Sequence, residues 1–355
     1  MNKTTLVARH LGGFSLVELM VALVIGTTAV VAALQVYAHG RELYRVNERV
    51  ARLQEQGRVA LDMIEPDVEM AGYYGFTRTA EAIRFVRGAN PDLTLATSSD
   101  LRQFPMRAGG PLPSPVTSLP TGAQACGTQF AVDVSTPVQA SNNTFALGPA
   151  RTSACNPYQN RAQAGADTLT VRRVETRTSL PEVNRLQIYA SRNTSLSDQL
   201  LFADGNAPGP MDDDHHVHNF VVRAYYVARD SVGQRDFPAL RVKALTRSGT
   251  SVVFDEDEVM PGVEDLQVQL GIAASGASDG RAVRYVNPDL GDVPRAQVVA
   301  VRVWLRVRAD LPEPAFTDFR KYEYADVSYT PAGDASHYRR VLLVRTITLR
   351  NARSA

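Results

Sequence analysis

Net charge is the first thing this chain lacks. Its 355 residues hold 38 Lys and Arg against 37 Asp and Glu, a formal +1. No global field draws nucleic acid, and no basic cluster interleaved with aromatics supplies a local one. Lysine is nearly missing too, present only at Lys3, Lys243 and Lys321. Arginine stands in for it throughout, which reads as coding bias and excludes nothing. Cysteine occurs twice, at Cys126 and Cys155. No internal repeat is present, and no long helical period occurs after about residue 72. Without helical crossovers, any sheet should be mostly antiparallel. What the chain does have is bulk: with 44% hydrophobic and 21% charged residues it is long enough to bury a core, so it is no disordered polymer.

It also has a single long apolar run. Residues 1–13, "MNKTTLVARHLGG", carry Lys3 and Arg9 and no acid, and the run over 14–38 follows directly. A positive flank before an apolar span keeps the amino terminus cytoplasmic and sends the rest across. About 20 helical residues at 1.5 Å each span roughly 30 Å, the thickness of a bilayer core. Ala32, Ala33 and Ala38 offer small residues for conventional signal cleavage after the span. Gly12 and Gly13 offer a different site before it.

The helical period does not stop with the apolar run. Leu43, Val46, Val50, Leu53, Ala60, Ile64 and Val68 recur at three- and four-residue steps, broken only by Gly57, with Arg, Glu and Gln opposite. The spacing predicts one helix over 14–71, about 58 residues and about 87 Å long. Its first half is apolar all round and needs lipid or other helices. Its second half has one apolar stripe, in which Val46, Val50 and Leu53 are expected to tie the helix to a folded domain. Pro66 should kink the last turns, and Gly72 is a good stop.

Beyond the helix, runs rich in Val, aromatic and alternating residues predict strands at 129–134, 167–174, 185–190, 218–228, 238–247, 263–273, 296–309 and 338–351. In the seventh, Val299, Val301, Val303 and Leu305 alternate with Ala300, Arg302, Trp304 and Arg306, one buried face and one wetter. The Pro- and Gly-rich 104–127 cannot hold a central strand and is expected as an exposed loop.

Three features invite chemistry. "GASDG" surrounds Ser278 like a nucleophile elbow, but the stretch after it is a poor helix, whereas the elbow needs a strand before and a helix after. "MDDDHHVHNF" packs Asp212, Asp213, Asp214, His215, His216 and His218 together. His216 and His218 would share a strand face and could take a transition metal; a solvated loop entering a strand is the stronger reading, since no distant ligand set is identifiable. "DEDE" at 255–258 lacks the glycine and spacing of a calcium loop and reads as a charged turn. In an exported domain the two cysteines read as a Cys126–Cys155 disulfide worth roughly 3–4 kcal/mol in the chain-entropy model; the alternative is two buried thiols.

"GG" followed by "FSLVEL" resembles the prepilin signals of the type IV pilin class. The resemblance implies that a membrane peptidase cuts between Gly13 and Phe14 and methylates Phe14. Glu18 is then the fifth residue of the mature chain. A lone carboxylate at bilayer depth costs about 2.5–3.5 kcal/mol on insertion scales. In a filament, the freed amine of a neighbouring subunit could neutralise it, and Glu18 would select axial register. The plainer reading has Glu18 near the cytoplasmic interface, reaching the headgroups.

"MAGYYGF", "GVEDLQVQLGI", "DGRAVRYV" and "RRVLLVRTITLRN" resemble minor pilins of the PilW type. Members often carry a cysteine where this chain has Phe76, so any disulfide there is absent. The resemblance implies an α+β, pilin-like fold: a leader at 1–13, the apolar half-helix at 14–38, the amphipathic half at 39–72 and a β-rich periplasmic domain at 73–355. It implies a subunit of a minor-pilin complex that primes type IV pilus assembly, at or near the tip. The implied partners are prepilin peptidase, other minor pilins, the major pilin, an inner-membrane assembly platform and, before assembly, membrane lipid, with no nucleic acid. No cofactor, metal or catalytic residue is expected. Two other readings stand: a minor pseudopilin of a type II secretion system, and a signal-anchored periplasmic enzyme or binding protein that keeps its leader.

Overall fold

The computed structural model describes residues 13, 15–76, 83–85, 120–127, 130–147, 152–192, 199–274, 281–289 and 298–352. The chain divides into two compact units, Met1–Arg52 and Leu53–Ala355. Helix α1, Leu16–Glu69, runs through the division without a break in its helical assignment.

In the first unit α1 buries nothing of its apolar run. Leu19, Val24, Ile25, Val30 and Leu34 are all more than half exposed. Among the described residues this is the one helix long and apolar enough to cross a membrane. Thr27 and Thr28 turn their hydroxyls back onto the carbonyls of Val24 and Ile25 at 2.9–3.0 Å, so both hydroxyls are satisfied within the helix.

In the second unit the same helix has a buried stripe: Leu53, Gly57, Ala60, Leu61, Ile64, Asp67 and Val68. The helix ends where the sequence demands it. Gly72 takes a left-handed φ of +76°, which a side chain would resist, and its N–H donates to the carbonyl of Arg172 at 3.0 Å.

Fourteen strands follow among the described residues: β1 Arg84–Phe85, β2 Val138–Ser141, β3 Thr168–Ser179, β4 Val183–Ser191, β5 Leu200–Asp204, β6 His215–Ala228, β7 Ala239–Ser248, β8 Ser251–Pro261, β9 Val263–Ala273, β10 Ala282–Val286, β11 Val298–Arg308, β12 Tyr322–Tyr324, β13 Val327–Tyr329 and β14 Arg340–Thr348. The larger sheet is built on β6, which pairs β3 along one edge. Along the other edge its first part pairs β4 and its second part β7, which in turn pairs β8. A four-stranded sheet runs β10-β9-β11-β14, and β12-β13 form a ribbon. All pairings are antiparallel except β1 with β5. The fold is α+β, as its long helix and missing crossovers predict.

The helix stripe shares one core cluster with β9, β11 and residues of β3, β6 and β14, including Val268, Val303, Leu305 and Ile347. A second cluster holds Tyr74, Phe130, Val132, Ile188, Phe220, Val222 and both cysteines.

Several expectations need correcting. Of the stretch 104–127, expected as an exposed loop, residues 120–127 are described, and Ala123, Ala125 and Cys126 there are buried in the second core cluster. Residues 130–134 are buried but lie in turns, so that apolar run fills a core without joining a ladder. Asp255–Glu258 is no turn but the middle of β8. Opposite it on β7 stand Arg241 and Lys243, each 3% exposed. Arg241 lies 3.0 Å from Glu258, and Lys243 lies 3.4 Å from Glu256. The inward glutamates are neutralised across the ladder, while Asp255 and Asp257 face water. In β11, Arg302 and Trp304 are half-buried as expected of a wetter face, but Arg306 is buried and bonds Glu264 at 2.6 Å.

Candidate functional site

The amino-terminal segment is the first element to assemble from its residues. Gly13 and Ser15 precede the helix; Phe14 lies outside the described residues. Glu18 Oε2 accepts the Ser15 N–H at 3.0 Å, and Ser15 Oγ accepts the Val17 N–H at 3.3 Å. This is half of a capping box with an N-cap hydroxyl bonded one residue early: Ser15 and Glu18 each satisfy a backbone donor that a helix start leaves orphaned, and the carboxylate sits at the positive end of the helix dipole. The whole cap lies after the Gly13–Phe14 bond. Glu18 therefore has a partner in its own chain, which the sequence reading passed over although "SLVE" displays the Ser-x-x-Glu pattern ahead of an apolar run.

The second element is the anchorage of the lower helix, all within the second unit. Asp67 is 1% exposed in the apolar stripe. Arg173 Nη2 and Nε donate to its Oδ1 at 2.7 and 3.0 Å, Arg223 Nη1 to its Oδ2 at 3.1 Å, and the Tyr225 hydroxyl to Oδ2 at 2.6 Å. Burial, then the charge of Asp67, pushes the Tyr225 phenol well above its ordinary range, so it stays a donor. On the solvent side Arg345 reaches Asp62 at 2.5 Å and Glu65 at 2.6 Å, and Arg350 reaches Glu69 at 2.6 Å. Gly57 permits the close approach: a Cβ there would stand 2.3 Å from Leu343 Cδ1 and 3.1 Å from Val307 Cγ2. Of the residues expected to tie helix to domain, Leu53 enters the core cluster, whereas Val46 and Val50 fall in the first unit. Asp67 was missed; an acid in register with Ala60, Ile64 and Val68 was the available signal.

Cys126 and Cys155 form a disulfide, both buried, with Cα atoms 5.2 Å apart. The Asp212–His218 cluster behaves as the plainer reading supposed, except that the histidines already belong to β6. Asp212, Asp213 and Asp214 are exposed, and His215 Nδ1 lies 2.5 Å from Asp212 Oδ1. His218 Nδ1 lies 3.0 Å from the Glu175 carbonyl, and burial lowers its pKa. The His216 and His218 rings are 6.3 Å apart, and among the described residues no three His, Cys, Asp or Glu are placed to hold a metal. Phe76 packs on His216 at 5.2 Å under the Arg192 guanidinium. Ser278 lies outside the described residues.

Two stretches of the chain match family models. Residues 9–34 fit the model of the prokaryotic N-terminal methylation motif. Residues 224–351 fit the model of the family described as type IV pilus-assembly protein W. No curated protein matches. Among solved structures, a type IV-like pilin from Thermus thermophilus is similar, with a TM-score of 0.24 and 17% identity, over 55% of this chain and 80% of that one. The methylation motif implies processing by prepilin peptidase and association with other pilins, and with the apolar helix it points to membrane anchorage. The family is one of structural pilin-like proteins rather than known enzymes.

Proposed function

We propose that this chain is a minor pilin that joins other minor pilins to prime type IV pilus assembly and takes its place at or near the tip. In this reading prepilin peptidase cuts between Gly13 and Phe14 and methylates Phe14. Residues 14–38 then form the membrane and filament-core half of the helix, and 73–355 form the periplasmic body. Glu18, already capping its own helix, supplies the charge that a neighbour's freed amine meets in the filament, and the chain performs no chemistry itself. One observation carries the reading: a methylation motif over 9–34 and a PilW-type match over 224–351 occur in a single chain.

The test is the amino terminus of the mature protein, read by Edman sequencing and intact mass. Methyl-phenylalanine at Phe14 is the expected result. An untrimmed Met1 would overturn the reading in favour of a signal-anchored protein. Deleting the chain should abolish piliation and twitching while type II secretion continues; the reverse would make it a pseudopilin.

A further inference from the structure

The four-stranded sheet ends at β14, and only one side of that strand is used. Arg340–Thr348 pairs β11 over nine consecutive residues with no break in register. Beyond both ends the ladder continues: the Leu349 N–H donates to the Val299 carbonyl and the Ala309 N–H to the Arg339 carbonyl, each at 2.9 Å. Hydrogen-bonded pairs alternate along an antiparallel ladder, so Val341, Leu343, Arg345 and Ile347 also aim their backbone groups at β11. Leu342, Val344, Thr346 and Thr348 aim theirs away from it. At either end the outward groups are taken, the Arg340 carbonyl by Arg320 Nη2 at 3.0 Å and the Arg350 N–H by the Glu69 carbonyl at 2.9 Å. Between them, over about 20 Å, the four outward N–H and four outward C=O groups meet no partner among the described residues.

Sheets defend such an edge by shortness, irregular register, charge or a cover. The other edges are defended. β1 has two residues and β2 four, and β10 has five with a break in register against β9. β8 carries four acids, and Gly122 of the turn Thr121–Gln124 sits against its Val252 backbone. β14 has none of these devices and holds no Lys, Pro, Asp or Glu. Arg345 faces the helix acids, so Val344 and Thr346 lie on the opposite face, where Val344 is 57% exposed. On that face Arg302 Nε donates to Thr346 Oγ1 at 3.1 Å, and its guanidinium lies 3.8 Å from the Tyr285 ring centroid. No carboxylate pairs with Arg302 among the described residues. An open row of backbone groups takes another strand, and a free guanidinium at its margin takes a carboxylate.

A second copy of this chain is a poor source of that strand. β14 climbs alongside the lower helix, from Leu343 at Gly57 to Arg350 at Glu69. Two β14 edges meeting antiparallel about a two-fold axis would turn their lower helices in opposite directions, which chains anchored in one membrane do not allow. Copies pointing the same way would have to offer another edge, and those are short, broken or covered. We propose that β14 accepts an edge strand of a different, neighbouring pilin, which bears a carboxylate opposite Thr346 and extends the four-stranded sheet. The proposal rests on the minor-pilin reading and names the surface through which that complex forms.

The test follows amide hydrogen exchange, residue by residue, in the full chain in detergent, alone and with each of the other pilins of the same cell purified and added singly. Alone, Leu342, Val344, Thr346 and Thr348 should exchange faster than Leu343, Arg345 and Ile347. One added pilin should slow those four amides by about tenfold or more. Val344→Pro removes an outward N–H and no bond to β11, so it should keep the unfolding midpoint and lose that pilin. Arg302→Glu carries the same test without touching the backbone and should weaken binding on the order of tenfold. Binding that leaves the four amides unprotected, or that survives Arg302→Glu undiminished, would overturn the strand while the minor-pilin reading stands. Protection by added copies of this chain alone would overturn the choice of a different pilin. If none of the other pilins binds the wild-type chain, the minor-pilin reading falls along with the strand.

Discussion

Helix α1 keeps one backbone geometry on both sides of Arg52, yet its side chains meet opposite conditions. Before that point Leu16, Leu19, Leu23 and Ile25 are each more than 60% exposed; after it Leu53, Ala60, Leu61, Ile64 and Val68 are each at most 3% exposed. The second half is stable within its own unit because a sheet covers its stripe and arginines neutralise its acids. The first half has an apolar surface on every side, and among the described residues none of its apolar run is buried. Exposed apolar area on that scale costs roughly 25 cal/mol per Å² in water, so its surroundings must come from lipid or from other helices. The difference teaches that local propensity forms the helix, whereas the partner that stabilises it changes along its length.

The sharpest way to break this contrast is at Asp67. Asp67→Ala leaves Arg173, Arg223 and the Tyr225 hydroxyl buried without their acceptor, and such a loss costs about 3–5 kcal/mol. Urea unfolding of the detergent-solubilised chain should show that drop in the β-rich unit, with the helical signal of the apolar half unchanged. An unchanged midpoint would mean that Asp67 does not hold the helix to β3 and β6. Replacing Cys126 and Cys155 by serine should cost about 3–4 kcal/mol in the same measurement, again without touching the apolar half.

A third change sharpens the comparison through pH. Asp167 is buried and accepts the N–H groups of Asn143 and Val268, both at 2.7 Å; desolvation pushes its carboxyl up to about 7 from 3.8. The folded state therefore holds a proton that the unfolded chain releases between those values. Its contribution is complete below pH 3.8 and is lost as pH rises to about 7. The difference in stability between wild type and Asp167→Asn should fall across that window by up to about 1.4 kcal/mol per pH unit. A flat difference would contradict it. The smallest effect expected is Gly57→Ala, where the new methyl meets the end of a movable leucine. A cost of about 1–3 kcal/mol is expected, against none for Gly26→Ala, whose Cβ position is open.

Much of this contrast is written in the residues. The period of Leu53, Ala60, Ile64 and Val68 gave the stripe, and alternation found β3, β4, β6, β7, β9, β11 and β14 to within a few residues. β8 escaped because Asp255–Glu258 has no apolar residue on either face. Its acids are accommodated in a strand because Arg241 and Lys243 stand opposite on β7. Phe130–Val134 misled in the other direction, since apolar character reports burial and not pairing. Asp67 was illegible for the reason β8 was: a buried acid is tolerable only beside arginines that the sequence does not show as neighbours. The Ser15–Glu18 cap, by contrast, was local and could have been read.

The central claim is that the apolar half of α1 is completed by other helices and that Glu18 sets their register. The measurement that tests it most directly is piliation and twitching of cells carrying Glu18→Ala, with the mature amino terminus sequenced in parallel. Normal cleavage before Phe14 with pili lost or sharply reduced is the predicted result. Normal cleavage with undiminished pili and motility would contradict it.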